Sequence, residues 1–162
     1  LANACANSTE NQVAARHADA IGVLVEMVRE GTSHEVLECA VAAIRNICVN
    51  CRENQEELHR CGGIQPLLLL LQSETRPQLL EYTVGAIWKA CTLCDANKVA
   101  IRAHGIKTIE ALAADENLGS EIRRCCQALL QVVDAVPLGR AAGGLPAGGL
   151  PAPRGEPTGE GP

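Results

Sequence analysis

Two pairs of cysteines have the spacing of residues that bind a metal ion. Cys48 and Cys51 form one C-x-x-C pair. Cys91 and Cys94 form a second, and this spacing often holds structural zinc. The pairs lie 43 residues apart, however, and Cys5 lies 43 residues before Cys48. One repeated position explains both pairs, and cysteine suits it as a small buried hydrophobic residue. We expect no metal, and we expect the nine cysteines to be reduced thiols in an intracellular compartment.

No other group of residues predicts catalysis. The four histidines show no ligand spacing, and none belongs to a Ser, Cys or Asp arrangement of a nucleophilic site. The acidic pairs Glu56-Glu57 and Asp115-Glu116 are typical of a solvated surface. The chain has no phosphate-binding glycine-rich loop, and its longest unbroken apolar run, Leu67–Leu71, is too short to span a membrane. We therefore expect no enzymatic activity, no catalytic residue, no cofactor, no small-molecule substrate and no membrane partner.

The chain is built from a repeated segment, and the stacking of these segments must position any binding residues. One motif opens three segments at a spacing of 43 residues: Asn11-Gln12, Asn54-Gln55 and Asn97-Lys98. This period is typical of a solenoid, in which stacked units bury one another's apolar faces. We predict the end of an incomplete repeat at 1–10, repeats at 11–53, 54–96 and 97–136, and a separate segment at 137–162. We interpret the chain as a piece of a longer array, with uncovered apolar faces at both ends.

Three helices are predicted in each repeat. The first is short, with the bounds Asn11–His17, Asn54–Cys61 and Asn97–His104. The second and third carry apolar residues at the spacing of amphipathic helices, as in Ile64, Leu67 and Leu71. One column of good capping residues is predicted to begin the third helices: Thr32, Thr75 and Asn117. No stretch alternates as a β-strand would, so the sequence predicts an all-α fold.

The last segment and the net charge bear on the choice of partner. Residues 137–162 hold 14 Pro or Gly in 26 positions, a composition that predicts a disordered tail. The formal net charge of −5 argues against the basic face that nucleic-acid binding requires. We therefore expect a protein partner and no nucleic acid.

The segments "GGIQPLLLLLQSE", "YTVGAIWKAC" and "AVAAIRNIC" resemble the armadillo repeat over residues 1 to about 136. The resemblance implies a right-handed superhelix whose third helices line a concave groove for an extended peptide. Family members include β-catenin-like, ankyrin-plus-armadillo and ciliary armadillo scaffolds, among which these residues do not choose. The nuclear import adaptors of the family clamp basic peptides with a Trp column and an Asn column. Here the Asn column reads Asn3, Asn46, Lys89 and Gln131, and the Trp column reads Ala42, Gly85 and Gln127.

The groove implied by the resemblance is predicted to hold an extended, acidic-leaning peptide segment of a partner protein. Its predicted contact residues are amides, aromatic rings and cations on the third helices: Arg45, Asn46, Tyr82, Trp88, Lys89, Arg123, Arg124 and Gln131. The alternative for Trp88 is packing between adjacent repeats. The alternative functions are a nuclear import adaptor-like module and a nucleic-acid- or metal-binding helical repeat. The expected location is intracellular and cytoplasmic, with the nucleus as the alternative.

Overall fold

The computed structural model of the chain describes residues 8–31 and 33–135. Within these ranges it forms helices and no strand. The helices are α1 (Thr9–His17), α2 (Ala20–Glu30), α3 (His34–Cys48), α4 (Arg52–Arg60), α5 (Ile64–Ser73), α6 (Pro77–Cys91), α7 (Asp95–His104), α8 (Ile106–Ala114) and α9 (Ser120–Asp134). We refer to α1–α3, α4–α6 and α7–α9 as units one, two and three. The predicted all-α class is confirmed. The predicted tail, 137–162, and most of the predicted partial repeat, 1–10, lie outside the described residues.

Equivalent helices of neighbouring units pack side by side. Helix α3 packs on α6 and α6 on α9, while α1 packs on α4 and α4 on α7. Within each unit the second helix packs on the third. A single aliphatic core therefore continues from unit to unit, with its largest side chains almost fully buried, among them Ile21, Ile44, Leu67, Ile87 and Leu129. This arrangement is the predicted α-solenoid, in which each unit covers an apolar face of the next.

The corner between the first and second helices brings neighbouring units into close contact. Gly62 adopts a positive φ of 66°, and the next residue, Gly63, is buried. A Cβ added at Gly63 would lie 2.8 Å from a methyl group of Val25 in unit one. In unit one, Asp19 takes the same left-handed conformation with φ 52°, which Asp tolerates better than most residues. Ala20 of unit one stands in the place of Gly63.

The first helices begin two residues earlier than predicted, at Thr9, Arg52 and Asp95. The shift places Asn54 and Asn97 inside the first turn of their helices rather than at its start. Both side chains are completely buried there. The repeated asparagine is therefore a structural residue at the junction between units, and its position in the first turn decides which groups it can reach.

The predicted caps of the third helices are wrong by one or two residues where the structure describes them. The N-cap of α3 is Ser33, whose hydroxyl accepts from the backbone N–H of Val36 at 3.3 Å. Helix α6 begins at Pro77, so Arg76 rather than Thr75 is its N-cap, and proline suits this first position. Gly119, two residues beyond Asn117, precedes α9. Thr32 lies outside the described residues.

Candidate functional site

The predicted contact residues lie on the stacked third helices, α3, α6 and α9. We call their accessible side the third-helix surface and define it by these residues: Arg45, Asn46, Tyr82, Trp88, Lys89, Arg123, Arg124 and Gln131. Arg124 and Gln131 are exposed, and the other six are partly exposed. Because α3, α6 and α9 pack side by side, residues 43 or 42 positions apart fall into rows that cross the helices. Equivalent positions of the three helices therefore lie side by side on this surface, which is open to solvent.

Arg45 of α3 crosses to α6, where it contacts two residues. Its guanidinium carbon lies 5.3 Å from the centre of the Tyr82 ring, within the range of a cation–π interaction. Its aliphatic stem runs over Gly85, since a Cβ added there would come within 3.1 Å of Arg45 Cδ. The Tyr82 hydroxyl accepts from Gln78 Nε2 at 3.2 Å, which orients the ring. Gly85 thus leaves room for a cation that is held between two units.

A second cation rests on the other aromatic ring of the surface. Lys89 Nζ lies 3.9 Å from the centre of the Trp88 ring. Trp88 is only partly exposed, and its buried part packs against the hydrophobic core. Core packing and an adjacent positive charge therefore occur together at this residue.

The α9 end of the surface carries charge in a less ordered arrangement. Arg124 forms an exposed ion pair with Glu121 at 2.6 Å, one turn earlier on α9. Arg123 Nε is buried and has no hydrogen-bond partner within the described residues. Gln131 is exposed near the far end of α9. Carboxylates accompany these cations, since Glu38 of α3 and Glu81 of α6 are partly exposed at equivalent positions and Glu121 pairs with Arg124.

The junctions between units contain a polar network that sequence reasoning did not predict. Asn54 Nδ2 donates to the Gln12 carbonyl at 3.2 Å and to the Ile47 carbonyl at 2.9 Å. Asn97 repeats the pattern one unit later, donating to the Gln55 carbonyl at 3.0 Å and to the Ala90 carbonyl at 2.9 Å. Each asparagine thus joins its unit to the first and third helices of the preceding one.

The same network extends to the acceptor side of each asparagine. Arg16 Nη1 donates to Asn54 Oδ1 at 2.8 Å. His59, 43 residues after Arg16, places Nδ1 3.1 Å from Asn97 Oδ1, the position from which an Nδ1–H would donate to the amide oxygen. The sequence signal for this network is the recurrence of Asn at positions 11, 54 and 97, from which the 43-residue repeat was defined. We call these contacts the junction network.

The C-x-x-C cysteines are core residues at these junctions. Cys48 and Cys91 end α3 and α6, and Cys51 and Cys94 are the N-caps of the following helices; all four are buried. Burial raises the pKa of the Cys48 thiol strongly and the pKa of Cys91 to about 12. A protonated thiol is a poor metal ligand and a poor nucleophile. No group of three His, Cys, Asp or Glu side chains that could hold a metal ion occurs in residues 8–31 and 33–135.

Thiol labelling of the native protein should separate Cys39 from the buried cysteines. Cys39 is exposed, whereas Cys91 and Cys126, each with a pKa raised to about 12 by burial, should react only after unfolding. We expect C39S to remove one equivalent from the fast phase of a disulfide-exchange assay at neutral pH. Unfolding in denaturant should release the slow thiols in both proteins. Fast, complete labelling of the native chain would contradict this assignment.

The raised pKa values also set the direction of a pH effect on stability. The folded-state pKa of Cys91 and Cys126 lies above the ordinary thiol value, which is about 8.5. The folded state therefore retains protons that the unfolded state loses. This contribution to the free energy of unfolding is fully present below about pH 8.5 and is lost as pH rises toward 12.

In the part of the chain that the structure describes, no helix has the combination of length and apolar character that a bilayer crossing requires.

Similarity to known proteins is found at the level of the fold. No protein-family model matches the chain, and no curated protein matches it. Among solved structures, a designed armadillo repeat protein matches with a TM-score of 0.73 and 26% identity over 82% of this chain. Computationally designed armadillo repeat proteins for modular peptide recognition match with a TM-score of 0.72 and 27% identity over 81%. A designed armadillo repeat protein in complex with the peptide (KR)4 matches with a TM-score of 0.70 and 26% identity over 82%. The chain spans 54% of the length of each of these three.

Proposed function

We propose that this chain, an armadillo-like repeat protein by its fold, is a non-enzymatic scaffold that binds an extended segment of a partner protein along the third-helix surface. The observation that carries the proposal is the pair of cations held on aromatic rings: Arg45 on Tyr82 and Lys89 on Trp88. Tyr82 and Trp88 are the only Tyr and Trp of the chain, and aromatic and arginine residues are the usual anchors of binding energy.

The charge of the surface favours an acidic segment. Arg45, Lys89, Arg123 and Arg124 follow one another across α3, α6 and α9. A positive surface attracts carboxylates and speeds their encounter with it. One of the structurally similar designed proteins is in complex with the basic peptide (KR)4. Lys89 and Arg124 would repel such a peptide, so we propose the opposite ligand charge for this chain.

An extended peptide also needs partners for its backbone. The exposed Gln131 amide offers a donor and an acceptor to one peptide group. Asn46 lies in the same row of the surface, 85 residues earlier, and is partly exposed. The proposed segment therefore runs from the Asn46 end to the Gln131 end of the row. The buried, protonated thiols suit a reducing environment, and we propose an intracellular, cytoplasmic location, with the nucleus as the alternative.

Binding should weaken when the cation–aromatic pairs are removed. W88A and K89A are each expected to cost about 1–3 kcal/mol of binding free energy, a loss of affinity of about 5- to 150-fold. The double variant N46A/K89E should lose more, because it reverses a charge in the row. The measurement is fluorescence anisotropy with two extended peptides of equal length, one rich in Glu and one rich in Lys, followed by capture of cellular partners.

A matched charge reversal controls for non-specific electrostatics. Lys107 is exposed on α8, away from the third-helix surface, so K107E changes net charge as K89E does. We expect K107E to leave affinity for the Glu-rich peptide nearly unchanged and circular dichroism to show all variants folded. Equal partner capture by N46A/K89E and the parent chain would show that the partner binds a different surface of the chain. Preference for the Lys-rich peptide would reverse the proposed ligand charge.

A further inference from the structure

Unit one exposes an apolar face at the start of the described solenoid. A cavity of about 440 Å³ opens between α2 and α3. Val23, Leu24 and Met27 line it from α2, and Cys39 and Ala43 from α3. Val23, a branched aliphatic residue in the middle of α2, is 57% exposed. We call this surface the N-terminal face.

The equivalent positions of unit two show what covers such a face. Pro66 occupies the position of Val23, and Gly63 the position of Ala20; both are buried. A Cβ added at Gly63 would meet Val25 of unit one. Pro66 also lines a cavity shared with Val28 of unit one. In unit two, therefore, this face is the seam against the preceding three-helix unit.

The outer face of unit three differs from the faces that units one and two present to the unit that follows them. Val25 and Leu68, which pack beneath the corner of the following unit, are 1% and 2% exposed. A Cβ at Gly105 of unit three would lie 2.5 Å from Leu68 Cδ2, which shows how closely that seam is packed. The same position in unit three is Glu110, which is exposed. A following unit stacked in the same way would bury the Glu110 carboxylate against a corner, which is costly without a partner.

One contact of the junction network has a different partner in unit three. Arg16 and His59 each reach the asparagine of the next unit. Their equivalent, Arg102, donates to the Val133 carbonyl at the end of α9 in its own unit. In the structure, therefore, Arg102 is directed toward its own third helix.

We propose that armadillo-type units stack on the N-terminal face of this chain and not on the outer face of unit three, so that the array grows in one direction only. The occupant of the N-terminal face is a three-helix unit of the same type. Because Ala20 stands where Gly63 and Gly105 accept Val25 and Leu68, the occupant carries a residue smaller than valine at that contact. This inference does not depend on what the third-helix surface binds.

Adding a unit at either end tests the direction of growth. In the N-terminal extension, a copy of residues 11–53 replaces residues 1–10, and A20G in the original unit recreates the Gly63 contact. In the C-terminal extension, a copy of residues 54–96 follows residue 138. We expect the N-terminal extension to raise the midpoint of thermal unfolding by about 5 °C or more over the A20G chain. The C-terminal extension should give no gain until E110L is added.

A substitution at Val23 keeps the test decisive even if an extension folds poorly. In the unextended chain V23E changes an exposed side chain and should shift the midpoint by less than about 2 °C. In the N-terminal extension the same V23E should abolish the gain, because the carboxylate would be buried in the new seam. An equal gain from the C-terminal extension without E110L would overturn the proposal. So would an N-terminal extension that V23E does not affect.

Discussion

Asn54→Ala should lower the free energy of unfolding by about 2–4 kcal/mol. The side chain is completely buried and makes three hydrogen bonds across the junction between units one and two. The Ile47 carbonyl lies in the last turn of α3, where helical carbonyls lack partners within the helix. Alanine would leave this carbonyl without its donor and the Arg16 guanidinium without its acceptor. The measurement is urea denaturation followed by circular dichroism, read as the shift of the midpoint at constant slope.

Two further variants identify the cause of that loss. N54D keeps an acceptor for Arg16 and places a negative charge in the first turn of α4, which favours a helix. It cannot donate to the carbonyls of Gln12 and Ile47, so we expect it to destabilise as N54A does. N117A removes only one exposed side-chain bond, from Asn117 Nδ2 to neighbouring Asp115, and should fall within about 0.5 kcal/mol of the parent chain. A neutral or stabilising N54D would mean that Asn54 acts on its own helix alone.

Gly63→Ala should destabilise the chain by about 1–3 kcal/mol, because the added methyl group overpacks the seam between units one and two. The Cβ would clash with Leu58 Cδ1 of the same unit and lie 2.8 Å from Val25 Cγ2 of unit one. Both neighbours are buried and have little room to move. Denaturation in urea, compared with the parent chain, measures the loss.

The matched control for this substitution is another glycine with an ordinary backbone. Gly119 has φ −54° and no atom within 4 Å of its prospective Cβ. We expect G119A to be nearly neutral, because the smaller conformational freedom that alanine loses on folding is offset by its poorer fit at the N-cap of α9. In a second variant, V25A should relieve part of the G63A penalty, since it removes one of the two clashing groups. Simple additivity of V25A and G63A would show that the seam is not the source of strain.

The architecture of this chain follows from its sequence. The recurrence of Asn-Gln and of apolar residues every 43 positions predicted three helices per unit and their stacking. The physical reason is that a helical period and a repeat period together specify which side of each helix is buried. Helix starts were predicted less well, by one or two residues at α3, α4 and α6, because capping is decided locally and several neighbouring residues could cap each helix.

Contacts between units were decided by the tertiary structure. Asn54 reaches Gln12, and Arg45 reaches Tyr82, across 42 and 37 residues of chain. Such contacts depend on the rise and rotation from one unit to the next, which no residue encodes alone. The sequence determined that a cation and an aromatic ring lie on the third helices, but only stacking placed one on the other. Likewise, the sequence alone gives no special role to Glu110. Its equivalent in unit two, Leu68, is buried against the following unit, and only this contact shows that a unit stacked after unit three would bury Glu110.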